Sequence, residues 1–375
     1  MINRLAWAGL AAALSIAACA SPTEGPALER TFQPRPGTST DFTFQSEGQT
    51  LSGIFDTPTD GEAEALIIFV HGYGPTDIRN RPSFRELRSR FNALGIATAL
   101  WDKPGQGQSE GTFDINQSVY ASAREVVDAA AHFRAVRAPG AERIGIWGIS
   151  RAGWIAPIAM SEDDDLSFWI SVSGTTAEDN FPYLLLSNLP FEGGTEEEAA
   201  ALGAAWREGC RLYRTGGSYD AYRQVMQPLI DNAYITRMRG GWQTRAQYEA
   251  SQKSCSGGTC TRTDNDMCAY VFIEEFGAML SSLDVDTLAV FGERDLNIDW
   301  RKTHELYEAT LGSNPQASLA VEVFPGVDHN INPSETGSLR EMQTMGTASK
   351  PERFFTVQEE WLESVVLIQG AREED

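Results

Sequence analysis

The chain has 375 residues, 42% of them hydrophobic and 22% charged, enough to bury one large core with room for an inserted subdomain. Its 52 Asp and Glu against 30 Lys and Arg leave a formal net charge of -22. That balance argues against a nucleic-acid partner, whose phosphates would be repelled, and reads as a solvated acidic surface. Only four histidines occur, His71, His132, His304 and His329. None falls with Cys or carboxylate residues at metal-ligand spacing, so neither a metal nor another cofactor is expected.

In chain order, Met1-Ile2-Asn3-Arg4 carries one positive charge, and the apolar residues 5–16 are too few to span a bilayer. Residues 1–18 therefore read as an export signal. Ile16-Ala17-Ala18-Cys19 resembles the bacterial lipoprotein box, which implies that Cys19 is lipidated and holds the mature protein on the cell-envelope membrane. The alternative is soluble export to the periplasm, since Ala18-Cys19-Ala20 also satisfies a small-residue cleavage site. Residues 19–39, rich in Pro, Thr and Gly, read as a tether.

Asp41-Phe42-Thr43-Phe44 and Leu51-Ser52-Gly53-Ile54-Phe55 alternate around Glu47-Gly48 and predict an opening antiparallel hairpin. Beyond it, apolar runs at 66–70, 96–101, 143–146, 168–172, 287–292 and 319–324 read as strands. Helical patterns at 83–94, 118–136, 152–160, 300–311 and 356–369 fall between and after them. This rhythm predicts an α/β protein, with a mostly parallel sheet and helices on both faces. Residues 175–284 break it. They show no clear strand, and 196–214, 219–233, 244–253 and 267–280 look helical, so they read as an inserted helical cap between core segments 40–174 and 285–375. Phe181, Tyr183, Leu184, Leu185 and Trp242 are candidates to line an apolar pocket, although aromatic residues on helices more often pack a core. In an exported chain the even set Cys210, Cys255, Cys260 and Cys268 suggests disulfides, Cys255 with Cys260 across a tight turn and Cys210 with Cys268. Four buried free thiols are the alternative.

One stretch carries most of the chemistry. Trp147-Gly148-Ile149-Ser150-Arg151-Ala152-Gly153 sets a serine between a strand and a helix, with small residues two before and two and three after it. This is the nucleophile-elbow pattern, with Ala152 at the position usually held by Gly. Three other strand ends add to it: His71-Gly72-Tyr73-Gly74, Glu293-Arg294-Asp295, and Val327-Asp328-His329-Asn330. A fourth opens the loop Asp102-Lys103-Pro104-Gly105-Gln106-Gly107-Gln108-Ser109. With these motifs the chain resembles the α/β-hydrolases, and among them a bacterial esterase-like subgroup carrying an H-G-x-G turn, a D-K-P-G-x-G-x-S loop, a G-x-S-x-A-G-W elbow and a G-x-D-H segment. The likeness runs over roughly residues 40 to 370, apart from the insertion.

The resemblance implies an α/β-hydrolase fold with the inserted cap above the nucleophile. It makes Ser150 the nucleophile, His329 the base and Asp295 the acid that orients the imidazole. The oxyanion hole would be the backbone N–H groups of Tyr73 and Arg151. Rivals are His71, His132 and His304 for the base, and Asp102, Asp299 and Asp328 for the acid. A serine at the elbow selects acyl transfer and disfavours the aspartate-dependent epoxide hydrolase and dehalogenase chemistries. The expected substrate is a small-molecule carboxylic ester, with no protein partner. Two alternatives stay open. One is a peptidase of this fold acting on short peptides, which would need a propeller domain or an amine-anchoring acidic pair in the cap, an option Glu196, Glu197 and Glu198 leave open. The other is an inactive envelope binding protein.

Overall fold

Long apolar runs closed by Gly-rich turns build the framework. The computed structural model describes residues 37–79, 84–176, 180–239, 241–253, 255–256, 259–260, 271, 273, 275–345 and 349–367. The chain divides into Met1–Gln33 and Pro34–Asp375, and every element below belongs to the second unit. The export segment and Cys19 lie outside the described residues. Among the described residues, no helix is long and apolar enough to cross a membrane.

The hairpin opens the fold as β1 (Thr38–Ser46) and β2 (Gln49–Thr57). Its two-residue loop, Glu47 and Gly48, has φ of 48° and 77°, the left-handed pair that matches the twist of paired strands. Strand β1 begins at Thr38, so it takes in the last two residues of the expected tether. There follow β3 (Ala65–Val70), β4 (Ile96–Trp101), β5 (Ile144–Ile149), β6 (Leu166–Val172), a two-residue pair β7 (Cys255–Ser256) and β8 (Thr259–Cys260), then β9 (Asp286–Gly292) and β10 (Leu319–Phe324). Eight of these form one sheet in the order β1-β2-β4-β3-β5-β6-β9-β10. Strand β2 pairs antiparallel with β1 and β4, and every other pairing is parallel.

Parallel strands need cover on both faces, and this sheet has it. From β3, Leu66, Ile68 and Val70 join one core and Ile67 and Phe69 the other. The flanking core helices are α1 (Arg85–Ala93), α2 (Val119–Ala135) and α3 (Ala152–Glu162). Leu87 and Phe91 of α1 pack on the Ile67 face, whereas α2 and α3 pack on the Leu66 face.

The insertion supplies α4 (Asn180–Asn188), α5 (Glu196–Arg214), α6 (Tyr219–Asp231), α7 (Ala233–Arg239), α8 (Arg245–Lys253) and α9 (Phe276–Ser281). Leu185, Leu202, Trp206, Tyr213, Tyr222 and Met226 are part of a separate small core. Phe276 and Leu280 of α9 pack with the sheet instead. The pair β7–β8, with Cys255 and Cys260 as register partners, adds strand where none was expected. Cys210 is a buried free thiol, which corrects the expected Cys210–Cys268 bridge. It lies on the inward stripe of α5 with Trp206 and Tyr213, at i, i+4 and i+7, and fills core space as a small apolar group. Cys268 lies outside the described residues. The chain closes with α10 (Trp300–Ala309), α11 (Leu339–Thr344) and α12 (Glu352–Trp361). Phe354 and Trp361 of α12 complete the Ile67 face.

Candidate active site

Ser150 follows β5 directly and has φ of 56°, a left-handed conformation that a residue with a side chain holds only under constraint. The small neighbours explain how the turn closes. A Cβ on Gly148 would stand 2.6 Å from the Cβ of Ala152, and one on Gly153 would stand 2.6 Å from the Thr175 backbone nitrogen. Neither gap admits a larger residue. The Ser150 N–H donates to Val172 O at 2.9 Å, and the Gly153 N–H to Ser150 O at 2.7 Å, which pins the elbow between β6 and the first turn of α3.

Asp295 and His329 leave adjacent parallel strands, β9 and β10, and meet beyond their C-terminal ends. His329 Nδ1 lies 2.7 Å from Asp295 Oδ2. The other carboxylate oxygen, Oδ1, accepts the backbone N–H groups of Asn297 (2.8 Å) and Ile298 (3.0 Å). Both side chains are buried. Burial disfavours the imidazolium, but the charge of Asp295 and its hydrogen bond outweigh that and hold the imidazole above its ordinary pKa. Ser173 Oγ donates to His329 O at 2.8 Å. Asp328, the adjacent acid, shapes the loop: its Oδ1 accepts the N–H groups of Asn330 and Asn332, and its charge adds a smaller upward push to the His329 pKa.

The turn after β3 forms the third wall. Lys103 Nζ donates to Gly72 O at 2.6 Å and to Gly74 O at 2.9 Å. The Arg151 guanidinium is buried. It donates to Ser122 Oγ at 3.0 Å and to Gln117 O, and stands 5.4 Å from the Tyr73 ring centroid. Arg151 is the N-cap residue of α3, so its amide stands at a helix N-terminus. Tyr73, Ser150 and His329 all line one cavity of about 1150 Å³. The cap contributes Phe181, Leu184, Trp206, Met238 and Arg239 to it. Leu185 and Trp242 pack with the cap core instead, and Tyr183 donates to Asp295 O at 3.1 Å.

The rival groups go elsewhere. His71 lines the cavity, but burial and nearby Lys103 push its pKa down to about 3, so it stays neutral. His132 stacks on Phe42 and His304 pairs with Glu308 at 3.2 Å. Asp102 is buried, accepts Ile78 N–H at 3.0 Å and pairs with Arg79, while Asp299 caps α10. Glu196, Glu197 and Glu198 are exposed in the first turn of α5, where Thr195 caps Glu198 N–H, and they are not among the cavity-lining residues. Among the described residues, no three His, Cys, Asp or Glu side chains are grouped to hold a metal ion.

Sequence reading passed over Lys103, Ser173 and the α4 residues Ser187 and Asn188. Ser187 Oγ and Asn188 Nδ2 donate to Leu296 O, at 2.7 and 3.0 Å, beside Asp295. Each acts on a segment remote in sequence. Only the position of Lys103, next to the strand-ending Asp102, offered a signal.

No protein-family model and no curated protein sequence matches the chain. Among solved structures it is similar to that of DcsB in complex with its substrate analogue, at 15% identity over 88% of this chain and 100% of that one, with a TM-score of 0.53. It is similar to the uncomplexed acylaminoacyl peptidase of Pyrococcus horikoshii at 14% identity, over 89% of this chain and 42% of that one, with a TM-score of 0.51. An esterase of Pyrococcus furiosus, Pf2001, aligns at 15% identity over 88% of this chain and 90% of that one, with a TM-score of 0.49. With its sheet order and the first two of these neighbours, the chain has the α/β-hydrolase fold.

Proposed function

We propose that the chain is a serine hydrolase that cleaves carboxylic esters through an acyl-enzyme. The observation that carries this reading is a serine at φ 56° on the same cavity as a histidine whose Nδ1 lies 2.7 Å from a buried aspartate. In the proposed reaction, His329 Nε2 takes the Ser150 hydroxyl proton as Oγ bonds to the ester carbonyl carbon. Asp295 holds the Nδ1–H tautomer and stabilises the imidazolium. The carbonyl oxygen becomes an oxyanion held by the Tyr73 and Arg151 N–H groups, a single such donor contributing about 3 kcal/mol. Collapse returns the proton to the departing alkoxide, and the alcohol leaves. Water then releases the acid by the same steps in reverse roles.

Ester cleavage is preferred to peptide cleavage because the three glutamates offered as an amine anchor stand outside the cavity lining. Phe181, Leu184, Trp206 and Met238 suit an apolar acyl or alcohol group. We also propose that the protein is exported and held on the envelope membrane through Cys19. The test of the activity uses purified protein, p-nitrophenyl esters, peptide anilides and a fluorophosphonate probe. Ester turnover and probe labelling are expected, with turnover cut roughly a millionfold and labelling abolished in Ser150→Ala. Labelling with anilide cleavage only would favour the peptidase. No labelling would favour a binding protein.

A further inference from the structure

We propose that Lys103 is a positioning residue that aims and polarises the Tyr73 amide of the oxyanion hole. The proposal rests on the serine-hydrolase reading above and adds a residue to it.

The argument starts from the peptide plane. Gly72 C=O and Tyr73 N–H belong to one trans peptide unit, so they point in opposite directions. Lys103 Nζ binds Gly72 O at 2.6 Å. Fixing that oxygen on the Lys103 side directs the Tyr73 N–H to the other side. The second bond, to Gly74 O at 2.9 Å, ties down the far end of the turn. Gly74 has φ of +95°, which folds the chain so that both carbonyls reach one ammonium group. Lys103 is itself held, since its backbone N–H donates to Thr76 Oγ1 at 2.8 Å.

Charge adds a second effect. A cation on a peptide oxygen draws electron density from the unit and strengthens its N–H as a donor. That gain matters most when the acceptor is an oxyanion. The ammonium is half-buried, and burial first, then the charge of Arg151, lowers its pKa to about 8, with Glu125 opposing. The groups facing it are Arg151 at the start of α3, Glu125 on α2 and His71 at the end of β3. Of these, His71 is already neutral above about pH 3. Above about pH 8 the amine keeps a hydrogen-bonding capacity but loses the charge, so turnover should fall there.

The test uses the full chain with a p-nitrophenyl ester and a boronic acid, whose tetrahedral adduct on Ser150 places an oxygen in the hole. In Lys103→Met we expect kcat to fall by about 10- to 100-fold with KM little changed, and boronate affinity to weaken by a similar factor. A purely structural role would not reproduce that split. Lys103→Arg keeps the charge, so it should retain more activity than Lys103→Met and lose the alkaline fall near pH 8 that wild type shows. A folded Lys103→Met with wild-type kcat overturns the proposal. If that variant does not fold, the pH profiles decide: no alkaline fall in wild type, or the same fall in Lys103→Arg, overturns it. Residual turnover in Ser150→Ala would instead sink the hydrolase reading, whereas an inactive Ser150→Ala beside an unimpaired Lys103→Met sinks this proposal alone.

Discussion

At the residue scale, the His329–Asp295 pair fixes the expected pH response. In the proposed reaction the imidazole must be neutral to accept the serine proton, and Asp295 holds its pKa above the ordinary value of about 6.5. Activity should therefore fall as pH drops through an inflection above that value. Asp295→Asn removes the larger of the two raising charges, Asp328 keeping the smaller, and should move the inflection down while cutting turnover by about 10⁴-fold. A kcat/KM profile of both proteins checks this, and a flat profile down to pH 4 would rule out a histidine base. Ser150, Asp295 and His329 were legible because each sits in a short local motif at a strand end. Arg151 was read for its amide alone. The contacts of its side chain with Ser122 and Tyr73 depend on segments at least 29 residues away, which a single sequence does not pair. Cys210 departs from expectation for a related reason, since parity of cysteines says nothing about which of them face a core.

At the element scale, the elbow works because β5, β6 and α3 close on three small residues. Gly148→Val should clash with Ala152, destabilise the fold by about 1–3 kcal/mol in urea melts, and abolish fluorophosphonate labelling. Retained labelling at wild-type rate would contradict this account of the spacing. The strands were readable from their apolar runs. Helix α5 was readable too, because its amphipathic stripe spans 19 residues and starts at a Thr-x-x-Glu cap. Helix α4 was not anticipated as a unit, because its role is set by tertiary partners. Its Asn188 is buried, donates to Leu184 O and Leu296 O, and accepts the Leu339 N–H at 2.7 Å. Asn188→Ala removes the acceptor of the Leu339 N–H and leaves Leu296 O to Ser187 Oγ alone, so it should cost about 1–3 kcal/mol and lower kcat through a loosened Asp295 loop. Thermal melts and steady-state kinetics test both halves, and unchanged kcat would show that the clamp is dispensable for chemistry.

At the scale of the whole molecule, contacts between distant segments close the fold. Arg90 on α1 binds Glu352 and Glu359 on α12, across 262 and 269 residues, and joins the first flanking helix to the last. The proposed membrane attachment belongs to this scale as well. Cys19→Ala should shift the protein from the membrane fraction to the soluble one while leaving ester turnover unchanged, and an unmodified mature N-terminus at Ser21 by mass spectrometry would refute lipidation. The α4 contacts also bear on how such proteins diversify. Tyr183, Ser187 and Asn188 sit within the insertion by position, yet they are bonded to the Asp295 loop. A chimera that exchanges everything between β6 and β9 discards those bonds together with the pocket wall. One spliced after Asn188 and ended before α9 keeps them and replaces the lining residues Trp206, Met238, Arg239 and Gln243. The exchangeable part of this protein thus starts later than its insertion does, so new pocket walls can be drawn from α5 to α8 while the Asp295 loop keeps its support.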